Sequence, residues 1–248
     1  MAADPFGGST YGDRVADTYD ELYSGIDSAA ALATLVDLAR AGPALELGIG
    51  TGRLAIPLAE RGVRVEGIDA SEAMVRKLRA KQGGAAIPVA IGDFADVLRD
   101  GPFAMVFVAF NTFFALLTQG EQVRCFRNVV ARLQDDGVFV IEAFVPDLSR
   151  FDRGQSIQAT DIGLDAVRID VTRHDSAAQL VTTQHVHITP DGVQMYPVRL
   201  RYVWPSELDL MAQLAGLQLS ERWGDWNRSS FTSASSKHVS VYSRISKS

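Results

Sequence analysis

Only one of the 248 residues is a cysteine, Cys125, so the fold has neither an intramolecular disulfide nor a cysteine-built zinc cluster. Within Gln122-Val-Arg-Cys-Phe-Arg-Asn-Val-Val130 the thiol falls in an amphipathic helical pattern, which marks it as a buried structural group and not a nucleophile. Positive charge is also scarce: 24 Lys and Arg stand against 30 Asp and Glu, a formal net charge of -6. Phosphate backbones are held chiefly by Lys and Arg, so nucleic acid is not expected as a partner. No uninterrupted apolar run approaches the ~18 residues of a membrane span, and Met-Ala-Ala-Asp-Pro-Phe-Gly-Gly at the start carries no positive leader. The expectation is a cytoplasmic protein with no membrane partner. There is no internal repeat.

What the chain has is a glycine-rich turn between two patterned segments. Ala44 to Leu47 is short and apolar, as a buried parallel strand should be, and Arg53 to Arg61 has helical spacing through Leu54, Ile56, Leu58 and Ala59. Gly48, Gly50 and Gly52 therefore occupy a strand-to-helix turn, where a backbone without side chains lets a ligand approach closely and the opening helix offers it amide N–H groups. Asp69 follows 21 positions after Gly48, at the end of the next apolar run, where a carboxylate can accept from both hydroxyls of a ribose. The dinucleotide fingerprint wants a third glycine where this chain has Arg53, and the nucleoside-triphosphate loop wants a Lys followed by Ser or Thr, absent from this turn. A pyrophosphate is not favoured.

Strand and helix patterns alternate through 44–48, 53–62, 64–68, 71–82, 86–91, 104–110, 120–134 and 137–145. Such alternation predicts an α/β, doubly wound, Rossmann-like, mostly parallel sheet of seven strands. Residues 1–10 read as disordered, and Tyr11 to about Ala41 reads as a helical cap over the sheet. After Phe144 the period changes to two, in 166–172, 180–188 and 193–204, with the turn Thr189-Pro-Asp-Gly192 between the last pair. The expected division is a helical cap and cofactor-binding core over 1–149, an antiparallel insertion forming an acceptor lid over 150–204, and completion of the core sheet over 205–248, opened by the helix at Pro205 that Gly216 ends.

With Glu46-Leu-Gly-Ile-Gly-Thr-Gly52, Glu66-Gly-Ile-Asp-Ala-Ser-Glu-Ala-Met74, Gly92-Asp-Phe94 and Phe107-Val-Ala-Phe-Asn-Thr112 in this order and spacing, the chain resembles the class I S-adenosylmethionine-dependent methyltransferases. It resembles more closely the small actinobacterial-type enzymes that methylate metabolites and antibiotic sugars. The resemblance implies S-adenosylmethionine as cofactor and a small-molecule acceptor. It implies that Glu46, Arg53 and the turn Gly48 to Gly52 lie at the methionine and ribose portion, that Asp69 takes the ribose hydroxyls, and that Ala70 and Met74 line the adenine. Asp93, with Gly92 before it, would accept from the adenine amino group, and Phe94 would lie alongside the ring. Phe110 and Asn111, with Phe113 and Phe114, would face the sulfonium, and Tyr11, Tyr19 and Tyr23 would close over the cofactor as a lid, Tyr19 foremost. Tyr19 is also a catalytic candidate.

The acceptor side is less defined. His185 and His187 project from one strand face and are candidates for a general base toward the acceptor; no Asp, Glu or Cys at ligand spacing completes a metal site with them. His174 reads as a turn residue and His238 as structural, while Arg199 and Arg201 alternate on one face and are candidates for binding acidic groups of a substrate. Nitrogen, oxygen and carbon acceptors all stay open, and the alternatives to a methyltransferase are a non-catalytic S-adenosylmethionine-binding module and, disfavoured by the missing third glycine, a nicotinamide-dependent oxidoreductase. A homodimer also stays open.

Overall fold

A computed structural model describes residues 9–245. Of residues 1–10, expected to be disordered, 1–8 lie outside the described residues, whereas Ser9 and Thr10 are ordered, as the cap and first residue of a short helix. Seven strands form one sheet: β1 (Pro43–Leu47), β2 (Arg64–Asp69), β3 (Val89–Ile91), β4 (Phe103–Val108), β5 (Leu133–Phe144), β10 (Leu217–Trp223) and β11 (Lys237–Arg244). Their order is β10-β11-β5-β4-β1-β2-β3, with β11 the antiparallel member between β5 and β10. The fold is α/β, Rossmann-like and mostly parallel.

The strand order reverses at β1 and β4, and the carboxyl ends of those neighbours open the crevice in which such sheets place ligands. Apolar side chains cover both faces. One layer holds Leu45, Val106, Phe126 and Phe139; the other holds Ala44, Leu58, Met105 and Val140. The alternation of neighbouring strand residues between these layers is the two-residue pleat expressed as two cores.

Helices α4 (Ala55–Glu60), α5 (Glu72–Ala80) and α6 (Gln119–Val130) connect these strands, each shorter than its sequence pattern. Ser71 starts α5 by accepting the Met74 N–H at 3.2 Å, and Thr118 with Glu121 forms a reciprocal capping box at the start of α6. α7 (Pro205–Ala215) ends as expected at Gly216, whose φ of 87° is the left-handed cap conformation.

The continuous helical cap expected from Tyr11 to Ala41 is instead three pieces: α1 (Thr10–Val15), α2 (Tyr19–Leu22) and α3 (Ala29–Ala39). The carboxylate of Asp27 accepts the Ala29 N–H at 2.8 Å, the Asx turn that separates α2 from α3.

Between β5 and α7 a second sheet is inserted, ordered β6-β7-β8-β9: β6 (Gln155–Ile162), β7 (Val167–Asp175), β8 (Leu180–Thr189) and β9 (Gly192–Arg201). β8 and β9 pair up to Thr189 and Gly192, leaving Pro190 and Asp191 as the tight turn. β6 went unread in the sequence because Gln155-Ser-Ile-Gln-Ala-Thr-Asp-Ile162 has no apolar alternation. As an edge strand with a bulge between Ala159 and Asp161, it is almost wholly exposed and needs none.

Candidate functional site

The turn after β1 is held against the end of β2. Gly48 and Ile49 both donate to the Ile68 carbonyl, at 2.8 and 3.0 Å. Gly50 has φ 57°, and a Cβ placed on it would project into open space, so the backbone there presents a bare concave surface. Asp69 locks the two strand ends together: its Oδ2 accepts the Gly50 N–H at 2.7 Å and its Oδ1 the Ser71 N–H at 2.8 Å. Burial raises the Asp69 pKa, and those two backbone donors oppose the rise. Each carboxylate oxygen keeps lone-pair capacity for a further donor.

Beneath the turn lies the buried carboxyl of Glu46, with the half-buried Arg53 as its electrostatic neighbour. Glu46, 5% exposed, has its pKa pushed up to about 8 by burial, with Arg53 pulling it down and Asp69 pushing it further up. Its Oε2 and the Nε of Arg53 have no hydrogen-bond partner among the described residues. Arg53 donates from Nη1 to Ser28 Oγ at 2.8 Å and lies 5.1 Å from the Phe110 ring centre. Unpaired buried polar atoms are rare in native interiors. One acceptor and one donor side by side match the ammonium and carboxylate of an amino acid, so the residues present fit the methionine end of S-adenosylmethionine.

The N-terminal helices close over this region through carboxylates. Asp13 accepts from Ser71 Oγ at 2.7 Å, Asp20 accepts from Thr51 Oγ1 at 2.6 Å and pairs with Lys81 at 2.7 Å, and Asp17 pairs with Lys77 at 2.7 Å. Their inner surface is aromatic. The Tyr11 and Tyr23 hydroxyls are 2.7 Å apart, Tyr19 packs on Tyr23 at 4.7 Å, and Tyr23 meets Phe110 edge-on at 5.2 Å. Burial pushes the Tyr19 phenol up to about 12 and raises Tyr11 as well, so both stay protonated at neutral pH.

One cavity of about 690 Å3 joins these elements to the inserted sheet, a size within the usual range for small-molecule sites. On the core side it is lined by Gly48, Gly50, Asp69, Ala70, Met74 and Phe94. The lid contributes Tyr11, Tyr19 and Tyr23, and the end of β4 contributes Phe110 and Asn111. Asn111 Oδ1 accepts the Phe144 N–H at 2.7 Å, and Glu142 accepts the Phe110 N–H at 2.9 Å, which fixes this left-handed two-residue corner. On the far side Phe144, Pro146, Leu148 and Phe151 give an apolar wall, and His185 and Arg199 reach it from the inserted sheet.

Several of the expected residues are not among those on the cavity wall. Glu46, Gly52, Arg53, Gly92 and Asp93 do not line the cavity. Asp93 caps its own turn, accepting the Ala95 N–H at 2.8 Å, with Arg124 at 3.7 Å. Phe113 and Phe114 are wholly buried in the core beneath Phe110, because the 3-10 turn that follows Asn111 directs them inward. His187 is not at the cavity wall; its ring meets Tyr196 edge-on at 5.3 Å, and burial lowers its pKa.

Arg201 is not a substrate group: at 6% exposed, it donates to Gln122, to Gln179 at 2.7 Å and to Glu207 at 2.9 Å, bolting β9 to α6 and α7. His174 belongs to β7 and not to a turn, and its Nε2 lies 2.9 Å from the hydroxyl of Tyr202. His238 is fully buried beside Ser240, and burial lowers its pKa to about 4. The lining residues that sequence reasoning missed include Phe151, Asp170 and Tyr202. None of the three carried a signal of its own; Asp170 shares the polar phase of β7 with Arg168, and nothing in the spacing sets it apart.

A family model described as a methyltransferase domain matches residues 44–137, the stretch from β1 to β5. The chain is 40% identical to the CcbJ methyltransferase from Streptomyces caelestis, whose structure it matches with a TM-score of 0.89 over 96% of this chain and 99% of that one. It is 26% identical to the cypemycin N-terminal methyltransferase of a Streptomyces species, over 95% of this chain and 98% of the relative. The S-adenosylmethionine-bound aminopentose methyltransferase CalS10 from Micromonospora echinaspora shares the fold at 19% identity, with a TM-score of 0.72 over 92% and 97% of the two chains.

Proposed function

The chain belongs to the S-adenosylmethionine-dependent methyltransferases, and from that premise we propose that it methylates an amine nitrogen of a small, partly apolar metabolite. The observation that carries this reading is the single cavity running from Gly50 and Asp69 to the apolar wall of Phe144, Pro146, Leu148 and Phe151. Bound S-adenosylmethionine supplies an electrophilic methyl group on a positively charged sulfur.

In this reading Asp69 accepts from the ribose hydroxyls, the Gly48–Gly52 turn lies against the ribose and methionine chain, and Glu46 and Arg53 hold the ammonium and carboxylate. Ala70, Met74 and Phe94 serve the adenine, and Tyr11, Tyr19 and Tyr23 with Phe110 enclose the cationic centre, where an aromatic face contributes about 0.5–2 kcal/mol. Lid closure over the acceptor supplies alignment, which can lower a barrier by about 7–11 kcal/mol.

Nitrogen is favoured over oxygen because a free amine already carries a nucleophilic lone pair, whereas an alcohol must first give up a far less acidic proton, so alignment alone serves an amine. The histidine on the cavity wall among the described residues is His185. The relative named as an N-terminal methyltransferase is consistent with an amine acceptor.

Small-molecule methylation is tested by incubating the protein with S-adenosylmethionine carrying a trideuterated methyl group and a matched pair, N-methylcyclohexylamine and cyclohexanol. Label should enter the amine and not the alcohol. Label in the alcohol alone would overturn the nitrogen assignment.

We also propose a cytoplasmic homodimer. No helix among the described residues is long and apolar enough to cross a membrane, and the lone free thiol of Cys125 suits a reducing compartment. Ile157, Met195 and Val193 stay exposed on the inserted-sheet face turned away from the cavity, a patch suited to a second copy of the same sheet. Sedimentation velocity of the wild type and of Met195→Glu tests this: a dimer that the charge splits supports it, and a wild-type monomer refutes it.

A further inference from the structure

β7 and β8 are in register so that Asp170 stands directly opposite His185, and both line the cavity. Cross-strand partners point to the same face, and here the pair is in contact: the Nδ1 of His185 lies 2.6 Å from Oδ1 of Asp170. The same sheet row continues to Gln158 on β6, which also lines the cavity, and to Tyr196 on β9. A carboxylate accepts and does not donate, so the hydrogen on this contact belongs to Nδ1. In the neutral ring, this contact fixes the tautomer and leaves Nε2 with its lone pair. Nε2 makes no hydrogen bond to any described residue, and it is not enclosed as a buried orphan.

We propose that His185 is the catalytic base that takes the proton from the acceptor amine and that Asp170 is its positioning residue. The inference rests on the amine-methylating reading above and goes beyond it by naming the proton's route. In the step, the N–H bond of the acceptor ammonium breaks, its electron pair stays on nitrogen as the nucleophilic lone pair, and the proton bonds to Nε2. The resulting imidazolium is stabilised by the Asp170 carboxylate through the existing Nδ1 contact, the arrangement in which a carboxylate both orients an imidazole and supports its charge.

At pH 7 an alkylammonium near 10.4 leaves only about one molecule in 2500 as free amine, so a base inside a closed cavity decides whether the bound form can react. Of the other charged or titratable groups on this sheet, Arg199 lines the cavity, and Arg168 and His187 lie near the pair. Across the cavity stand Asp69, Asp147, Arg150 and the phenols of Tyr11, Tyr19 and Tyr23. None of these stands opposite His185 in the sheet register as Asp170 does.

Two readouts on the full chain test the pair, and they fail separately from the reading on which it rests. Nitrogen-15 NMR of the imidazoles, with S-adenosylhomocysteine bound, should show the His185 ring with Nδ1 protonated and Nε2 bare, and Asp170→Asn should mix the two tautomers without changing the melting temperature. Kinetics with N-methylcyclohexylamine should show a loss of 10²- to 10⁴-fold in kcat at pH 7 for His185→Gln, the usual span for a general base. The variant's rate should then climb about tenfold per pH unit towards pH 10, where free amine is supplied by the solvent. Asp170→Glu should recover part of what Asp170→Asn loses. A wild-type ring with Nδ1 bare, or a His185→Gln enzyme that loses activity with the wild-type pH profile, overturns the proposal; failure of every amine to be labelled instead refutes the amine reading.

Discussion

Replacing Glu46 by Gln should make the protein more stable and a poorer cofactor binder at once. Burial holds the Glu46 carboxyl at about 8 in the folded chain against an ordinary 4.5. Between those values the unfolded chain releases the proton while the native state keeps it, so the native state binds more protons and stability falls as pH rises. The loss is complete only above about 8. With 1.36 kcal/mol for each unit of difference, the full window costs on the order of 5 kcal/mol. Glutamine keeps the shape and cannot ionise, so Glu46→Gln should match the wild type near pH 4.5 and exceed it by roughly 3–5 kcal/mol at pH 8.5.

Urea unfolding across that range reads the difference directly, as a widening gap between the two midpoints. The same chemistry has the opposite sign for ligand: the cofactor ammonium favours the ionised carboxylate, so wild-type affinity for S-adenosylhomocysteine should rise from pH 6 to 8 while that of Glu46→Gln stays flat and weaker. Parallel stability curves for the two proteins would refute the buried, proton-holding carboxylate. A pH-independent wild-type affinity would refute its role at the ammonium.

Hydrogen exchange should find residues 10–23 protected more strongly with S-adenosylhomocysteine than without, and Asp20→Ala, which removes the contacts to Thr51 and Lys81, should raise exchange in both states. Equal exchange with and without ligand would leave the tyrosines as packing residues. Arg201→Met should lower stability by about 3 kcal/mol through the loss of a buried pair, with affinity for S-adenosylhomocysteine within about threefold of wild type. An unchanged melting temperature would show that Gln122, Gln179 and Glu207 do not depend on it.

The parallel sheet was legible because its strands are buried on both faces and its helices bury one, so each leaves a period in the sequence. The Gly48–Gly52 turn and Asp69 were legible for a related reason: the close approach of backbone to ligand restricts residue type at fixed spacings. β6 was not, since an exposed edge strand is under no apolar constraint. Arg199 and Arg201 look equivalent by alternation, and only the packing of β9 against α6 and α7 separates a residue at the cavity wall from one bolted into the protein. The same holds for Phe113 and Phe114, whose direction is set by a 3-10 turn that no period announces. The Asp170–His185 pair depends on strand register across β7 and β8, which the spacing of a single strand does not encode.

The most direct test of the site is calorimetric titration of S-adenosylhomocysteine into the wild type and Asp69→Ala. Asp69 already accepts from Gly50 and Ser71 and has lone pairs left for two hydroxyls. The account predicts micromolar binding by the wild type, no measurable binding of NAD, and at least a tenfold loss in the variant, the equivalent of about 1.4 kcal/mol or more. Unchanged affinity in Asp69→Ala would contradict the placement of the ribose at the end of β2.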